Sequence, residues 1–243
     1  MDKIKLHISC YQHEAKGGII MEERYVPEVK SVLRSRIIEV PSVIYKATGI
    51  KVLGTRIKSL LFSTDVAIIK NTNANSIIAV YPFTPQLSIT QAILEVAPVP
   101  VFVGVGGGLT TGTRSVNIAL QAELMGAYGV VVNAPTPNEV IRQIYETIDI
   151  PIIATVVSEN DDYKGKLEAG ARILNISGGP KTAELVRKIR KEFGKELPII
   201  ATGGPTDESI LETIEAGANA ITYTPPSTGE IFSEIMDRYR QNK

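Results

Sequence analysis

Eight short runs rich in Val, Ile and Ala, separated by longer segments of helical period, constrain this chain more than any other feature. The runs cover residues 57–63, 77–82, 99–106, 129–133, 151–157, 173–177, 198–202 and 220–224. Their apolar residues are nearly continuous rather than alternating, as expected of parallel strands covered on both faces. The intervening segments carry helix-end chemistry. Thr136-Pro137-Asn138-Glu139 predicts a capping box with Pro at the first helical position, ahead of Val140, Ile141, Ile144, Tyr145 and Ile148 on one face. Leu185, Val186, Ile189 and Phe193 form a second stripe, closed by Gly194. Ile210, Leu211, Ile214 and Ala218 form a third, opened by Thr206, and Ser227-Thr228-Gly229-Glu230 predicts a capping box for a fourth helix.

A repeat runs through these units. Pro100, Pro151 and Pro198 open three of the strands, Gly-Ala pairs at 126–127, 170–171 and 217–218 precede three others, and Pro-Ile-Ile-Ala-Thr occurs at both 151–155 and 198–202. Eight strands alternating with helices, with an internal duplication, predict an α/β fold of the (β/α)8 TIM-barrel type over residues 56–243. An open doubly wound sheet is the competing architecture, but it usually has fewer strands and no such repeat. Residues 1–55 do not fit the repeat. They read as an N-terminal extension, a lid or a dimerisation element, with an extra strand over 4–9, a helix from Val29 broken near Pro41, and a short strand over 50–53.

Composition narrows the partners. With 26 basic and 26 acidic side chains the formal net charge is zero, which argues against nucleic acid. No apolar run approaches the roughly 18–20 residues of a membrane helix, and residues 1–5 lack the apolar core of a signal peptide. The single Cys10 excludes an internal disulfide framework and fits a reducing compartment. A soluble cytoplasmic protein, assembled as a homo-oligomer, is the expectation.

In a parallel barrel the site lies at the C-terminal ends of the strands. Gly203-Gly204 sits between a strand and the helix opening at Thr206, and Gly178-Gly179 repeats the arrangement one unit earlier. Glycines there let backbone N–H groups approach an anion at a helix N-terminus, although strand-to-helix turns also use glycine for φ > 0 alone. The backbone at Ser227 is the expected third phosphate contact. The Gly104–Gly112 stretch is not a dinucleotide fingerprint, since Leu109 stands where glycine is required and the stretch follows the third strand. It reads instead as a loop over the site, with Arg114 reaching an anionic group, or as a tight turn beside a solvated arginine. Asn133 and Asn175 are embedded in apolar strands and are expected to touch substrate or be satisfied internally, with Thr155, Thr202 and Thr224 in the same layer.

Asp65 is the carboxylate at the mouth of the first strand. It is a candidate general base, or the N-cap of the following helix. No strand end carries Lys, which disfavours a Schiff-base aldolase. His7, Cys10 and His13 have a spacing of three that no regular element brings onto one metal. No G-x-S-x-G elbow is present.

Residues 173–179, Ile199-Ile200-Ala201-Thr202-Gly203-Gly204 and Glu215-Ala216-Gly217-Ala218-Asn219-Ala220 resemble the C-terminal half of the ribulose-phosphate-binding barrels, over roughly residues 150–226. That superfamily includes keto-deoxy-phosphogluconate aldolase, thiamine-phosphate synthase and the amino-sugar-phosphate epimerases, and the resemblance implies a phosphate site using Gly203 and Gly204. The chain departs from the pattern twice. Asn175 and Ser177 stand where the aldolases carry lysine, and Pro225-Pro226-Ser227 replaces the small glycine-containing turn after the eighth strand. Taken whole, from 56–65 through 132–137 to 202–206, the chain also resembles a group of bacterial proteins loosely labelled hydrolases, without a hydrolytic constellation to match.

These readings together predict an enzyme acting on a small phosphorylated metabolite by lyase- or isomerase-type proton transfer. Asp65 would move the proton, Asn133, Asn175 and Arg114 would hold the substrate body, and Gly178, Gly179, Gly203, Gly204 and Ser227 would hold phosphate. A non-enzymatic sensor of a phosphorylated ligand, and a hydrolase using a divalent metal on Asp65 and Glu159, are the alternatives. No organic cofactor is expected.

Overall fold

The structure is a computed structural model that describes residues 37–241 continuously, and residues 27, 29 and 31 singly. A short antiparallel hairpin, β1 (Ile50–Val52) and β2 (Thr55–Ile57), precedes eight parallel strands. These are β3 (Ser59–Phe62), β4 (Ser76–Ala79), β5 (Val101–Gly106), β6 (Gly129–Val132), β7 (Ile152–Val156), β8 (Ile173–Ile176), β9 (Ile199–Thr202) and β10 (Ala220–Tyr223). They close in sequence order, β10 pairing back onto β3 through Ile221–Ser59, Thr222–Leu60 and Tyr223–Leu61. Helices α1 (Val66–Lys70), α2 (Leu87–Val96), α3 (Thr113–Leu124), α4 (Asn138–Tyr145), α5 (Tyr163–Glu168), α6 (Thr182–Phe193), α7 (Asp207–Glu215) and α8 (Thr228–Gln241) follow the strands one for one. The TIM barrel expected from the apolar runs is therefore present, with each strand one to three residues shorter than its run.

Two apolar cores result from strand alternation. Residues such as Leu61, Ile77, Val103, Val130, Leu174 and Ile221 pack outward against the helices. Leu60, Ile78, Phe102, Val131, Ile153, Ile173, Ile200 and Ala220, one per strand, fill the lumen. Phe102 is the bulkiest of the fully buried residues, and burying such a ring contributes about 1.5–3 kcal/mol. Ile50, Val52 and Ile57 join this inner cluster, so the hairpin closes the barrel at the N-terminal ends of the strands. The boundary expected between residues 55 and 56 falls inside β2. At the same end Arg190 of α6 donates to Gly194 O, Leu197 O, Gly217 O and Asn219 Oδ1, tying three successive units together.

The strand expected over 4–9 and the His7, Cys10 and His13 group lie outside the described residues, as does most of the helix expected from Val29. Its described end is not helical: Ile38 is extended and bridges Thr72, donating to Asn71 O at 2.6 Å. The chain then turns into a 3-10 helix at Ser42–Lys46. Tertiary pairing wins there over the local apolar spacing. The capping box expected at Thr136 is also absent. Pro137 takes the N-cap position of α4 with no side-chain cap bond, and Thr136 Oγ1 is buried without a partner.

Candidate functional site

The C-terminal end of the lumen is two-faced. Above the apolar plug, alternation turns Thr155 of β7, Asn175 of β8, Thr202 of β9 and Thr222 of β10 inward, because Ala154, Val156, Leu174, Ile176, Ala201 and Ile221 belong to the outer core. The opposite wall is Phe62 of β3, Val80 just past β4 and Gly104 of β5. On the polar wall Asn175 Nδ2 donates to Thr155 Oγ1 at 3.4 Å, and Thr202 Oγ1 donates to Ile176 O at 3.3 Å. Asn175 Oδ1 and Thr222 Oγ1 have no partner among the described residues, although the two residues are only 8% and 7% exposed. Buried polar atoms are almost always paired, so two orphans in one layer call for explanation.

Two cavities open beside this layer. One of about 430 Å³ lies between the loops after β4 and β5, lined by Tyr81, Phe83, Thr84, Gly106, Thr110 and Asn133 among others. The second, about 590 Å³, is lined by Phe62, Ser63, Thr64, Asp65, Asn133 and residues 224–227. Val80, Tyr81, Pro82 and Asn133 belong to both. The loops are fixed locally. Tyr81 Oη accepts from Gln86 N at 2.8 Å, and Thr110 Oγ1 donates to Thr84 Oγ1 at 3.1 Å. Gly106, Gly107 and Gly108 have φ of 154°, 128° and 65°, and a Cβ on Gly107 would strike that of Asn133. Glycine is required there both by conformation and by close approach.

Asp65 N-caps α1: its Oδ1 accepts from Ala67 N at 2.8 Å and Ile68 N at 3.2 Å. Oδ2 accepts from the Thr228 hydroxyl, a contact that joins the start of α1 to the start of α8. The Thr228 bond first, then the two amides, hold the carboxyl below its ordinary pKa against a partly opposing desolvation. At neutral pH Asp65 is therefore an anion with three donors.

Several expected phosphate contacts are already engaged. The Ser227 N–H donates to Glu230 Oε2 at 2.7 Å, and Glu230 N donates back to Ser227 Oγ at 3.2 Å. The predicted capping box thus forms, and in forming it gives the Ser227 amide to Glu230 rather than to an outside anion. Pro225 and Pro226 carry no N–H. Gly178 N donates to Thr182 Oγ1 at 3.1 Å, and Gly203 N to Thr222 O at 3.4 Å. Gly203 is glycine for packing, since a Cβ would lie 2.7 Å from Ile210 Cγ1. Gly179 and Gly204, with φ of 60° and 83°, are the left-handed turn residues. At the first turn of α7 the Glu208 carboxylate is held below its ordinary pKa by its own amide and the Thr206 hydroxyl, so that N-terminus also carries a protein anion.

Arg114 lies elsewhere. It lines a groove with Leu87, Asn117, Ile118 and Gln121 on the helix layer, apart from both mouth cavities. Glu159 pairs with Lys188 at 2.9 Å in a third cavity, of about 210 Å³, with Gly178 and Lys181, so it does not meet Asp65. Among the described residues no group of three or more His, Cys, Asp or Glu is placed to hold a metal ion. The donor set therefore does not fit a divalent metal on Asp65 and Glu159.

Two residues escaped the sequence reading. Thr222, rather than Thr224, occupies the β10 position in the lumen layer; both share a face, and only the register shows which one is level with Thr202. Lys166 is 4% exposed, and its Nζ donates to Ala134 O at 2.8 Å and Thr136 O at 3.3 Å. It pins the loop that leaves Asn133. Its place three residues after Tyr163, on the inward face of α5, was the available signal.

No family model matches the chain. A 93-residue stretch is 31% identical to ribulose-phosphate 3-epimerase of Bacillus subtilis (strain 168), covering 38% of this chain and 39% of that protein. The chain thus aligns with about two fifths of that relative's length. Over that stretch the chain is similar to a ribulose-phosphate epimerase, and its fold as a whole is a closed eight-stranded TIM barrel. Among solved structures, a phosphonopyruvate hydrolase superposes with a TM-score of 0.61 at 14% identity, over 79% of this chain and 85% of that one. A phosphonopyruvate hydrolase complex with oxalate and Mg++ gives 0.58 at 14%, over 77% and 83%. The 4-hydroxy-tetrahydrodipicolinate synthase of Methylacidiphilum fumariolicum SolV gives 0.54 at 14%, over 68% and 67%. At these identities the likeness concerns the fold. No helix among the described residues is long and apolar enough to cross a membrane.

Proposed function

We propose that this barrel is an enzyme acting on a small phosphorylated substrate at the C-terminal mouth. The observation that carries the reading is Asn175 Oδ1, buried and unpaired in the lumen layer whose other members Phe62, Val80, Gly104 and Asn133 line the two mouth cavities. The epimerase-like stretch supports a phosphorylated ligand. The amides of Gly179 and Gly204 are the donors left for the phosphate, with the Lys181 ammonium two residues beyond Gly179. Asn175 and Asn133 meet the polar body of the substrate. Asp65, an anion at neutral pH, is the acceptor for a proton next to a carbonyl, and Thr228 must release Oδ2 for that role. Proton transfer of the isomerase or lyase type is the chemistry that this reading assigns to the site.

A second reading rests on the scarcity of chemistry. Among the described residues Asp65 is the one charged group lining the two mouth cavities, and all of its donors are internal. That favours a receptor that binds the same ligand without turning it over. A thermal-shift screen against inorganic phosphate and sugar phosphates tests the shared premise. Saturation to 100 times Kd stabilises by about 2.7 kcal/mol, and at roughly 2–4 °C per kcal/mol for a chain of this size that is about 5–11 °C. If no phosphorylated compound moves the melting temperature, both readings fall. Proton NMR of any hit in D2O then separates them: solvent deuterium at the carbon next to the carbonyl marks an enzyme, and its absence marks the receptor.

A further inference from the structure

Accepting that the mouth binds substrate, the geometry points to Asn175 and Thr222 as a built floor that selects an uncharged, hydroxyl-bearing end of the ligand over a carboxylate. Three observations converge. Asn175 Oδ1 and Thr222 Oγ1 are the unpartnered atoms of residues more than nine-tenths buried, on β8 and β10, either side of Thr202 on β9. Both face the lumen by strand alternation. The other inward residues of their layer, Phe62, Val80, Gly104, Asn133, Thr155 and Thr202, carry no charge.

The chemistry follows from the inventory of donors and acceptors. Asn175 offers a bare acceptor oxygen, and Thr222 offers one O–H with lone pairs. A ligand hydroxyl satisfies both, donating to Asn175 Oδ1 and accepting from Thr222 Oγ1. A carboxylate has no proton to give, sets its charge against Asn175 Oδ1, and finds no cation in the layer to offset its desolvation. The opposite wall adds to the discrimination. Phe62 and Val80 present carbon, and Gly104 leaves room, since a Cβ there would press within 3.2 Å of Val80 Cγ2. The ligand end that fits is a neutral skeleton with a hydroxyl edge toward β8–β10 and a C–H face toward β3–β5.

Thr222→Val keeps the shape and deletes the hydroxyl. In the ligand-free full chain it removes an unpaired buried polar atom, so the melting temperature rises. In binding assays with glycerol 3-phosphate and 2-phosphoglycolate, which differ in a hydroxylated against a carboxylate end, the wild type prefers the former. Thr222→Val erases the preference by weakening glycerol 3-phosphate about tenfold, the loss of one hydrogen bond. Asn175→Leu does the same. A lower melting temperature for Thr222→Val shows the hydroxyl to be satisfied within the fold and overturns the inference. An undiminished preference overturns it as well. Inorganic phosphate reports separately on the reading above: its failure to bind removes the phosphate subsite, while glycerol as a non-phosphorylated probe still tests the floor through its dependence on Thr222.

Discussion

Replacing Lys166 by Met is the sharpest test of how the mouth is held. Lys166 is 4% exposed, and its ammonium donates to Ala134 O and Thr136 O, the carbonyls of the loop that leaves Asn133. Hydrogen bonds from a charged group contribute about 1.5–3 kcal/mol each, so deleting two removes roughly 3–6 kcal/mol. Against this, Met keeps the packing of the stem and abolishes the burial of a charge, a cost of the same order. We expect a net loss of about 1–3 kcal/mol. With an m-value of about 2–3 kcal/mol/M, the urea midpoint falls by roughly 0.3–1.5 M. The chain has no Trp, so far-UV circular dichroism is the suitable probe. The pH dependence supplies an independent sign. Burial lowers the Lys166 pKa from its ordinary value. Between the folded and unfolded values the unfolded chain binds the extra proton, so wild-type stability rises with pH toward 10. The Met variant lacks that rise, and the gap between the two widens from pH 7 to pH 10. A midpoint that stays put or increases at pH 7 refutes the reasoning, because desolvation then outweighs the two hydrogen bonds.

Two further outcomes follow. Asp65→Ala removes the α1 N-cap and the tie to Thr228, at a cost of about 0.5–2 kcal/mol near neutrality. Because its folded pKa is depressed, the stability it adds is present above the ordinary carboxyl value and lost as pH falls through the folded one. Wild type and variant should therefore converge in urea titrations taken down to about pH 2, and parallel curves would contradict the assignment. Gly106→Ala drives a Cβ into Ser115 Oγ and Thr110 O from a φ of 154°. It should cost about 1–3 kcal/mol and raise amide exchange across 106–112, and unchanged exchange would show that the turn is not fixed there.

The barrel was legible because its signal is repetitive. Each strand is an apolar run, six of the eight are opened by Pro or preceded by Gly-Ala, and the units reinforce one another. The site was legible only in part. Asn175 stands out as an amide between Leu174 and Ile176, and the structure does bury it. The place of Arg114 was not readable, because it depends on where neighbouring groups end up, and it turns toward the helix layer. Ser227 was readable: the capping box that the sequence announces already gives its amide to Glu230, three residues on. Thr222 was hidden by register: Thr222 and Thr224 share one face, and spacing alone does not fix the height of either above the plug. Lys166 was hidden by composition, since a lysine on a short helix is normally solvated.

The two-faced lumen maps onto the chain in a simple way. Its carbon wall comes from strands lying between Ser59 and Gly106, and Thr155, Asn175, Thr202 and Thr222 all come from strands lying between Ile152 and Tyr223. One uninterrupted length of polypeptide thus supplies these four side chains, while the Asn133 amide follows β6 and belongs to the first half. A crossover placed near Ile150–Pro151 would move them to another half-barrel together, so preference for one end of a ligand is heritable as a block, separable from whatever the first half of the barrel contributes.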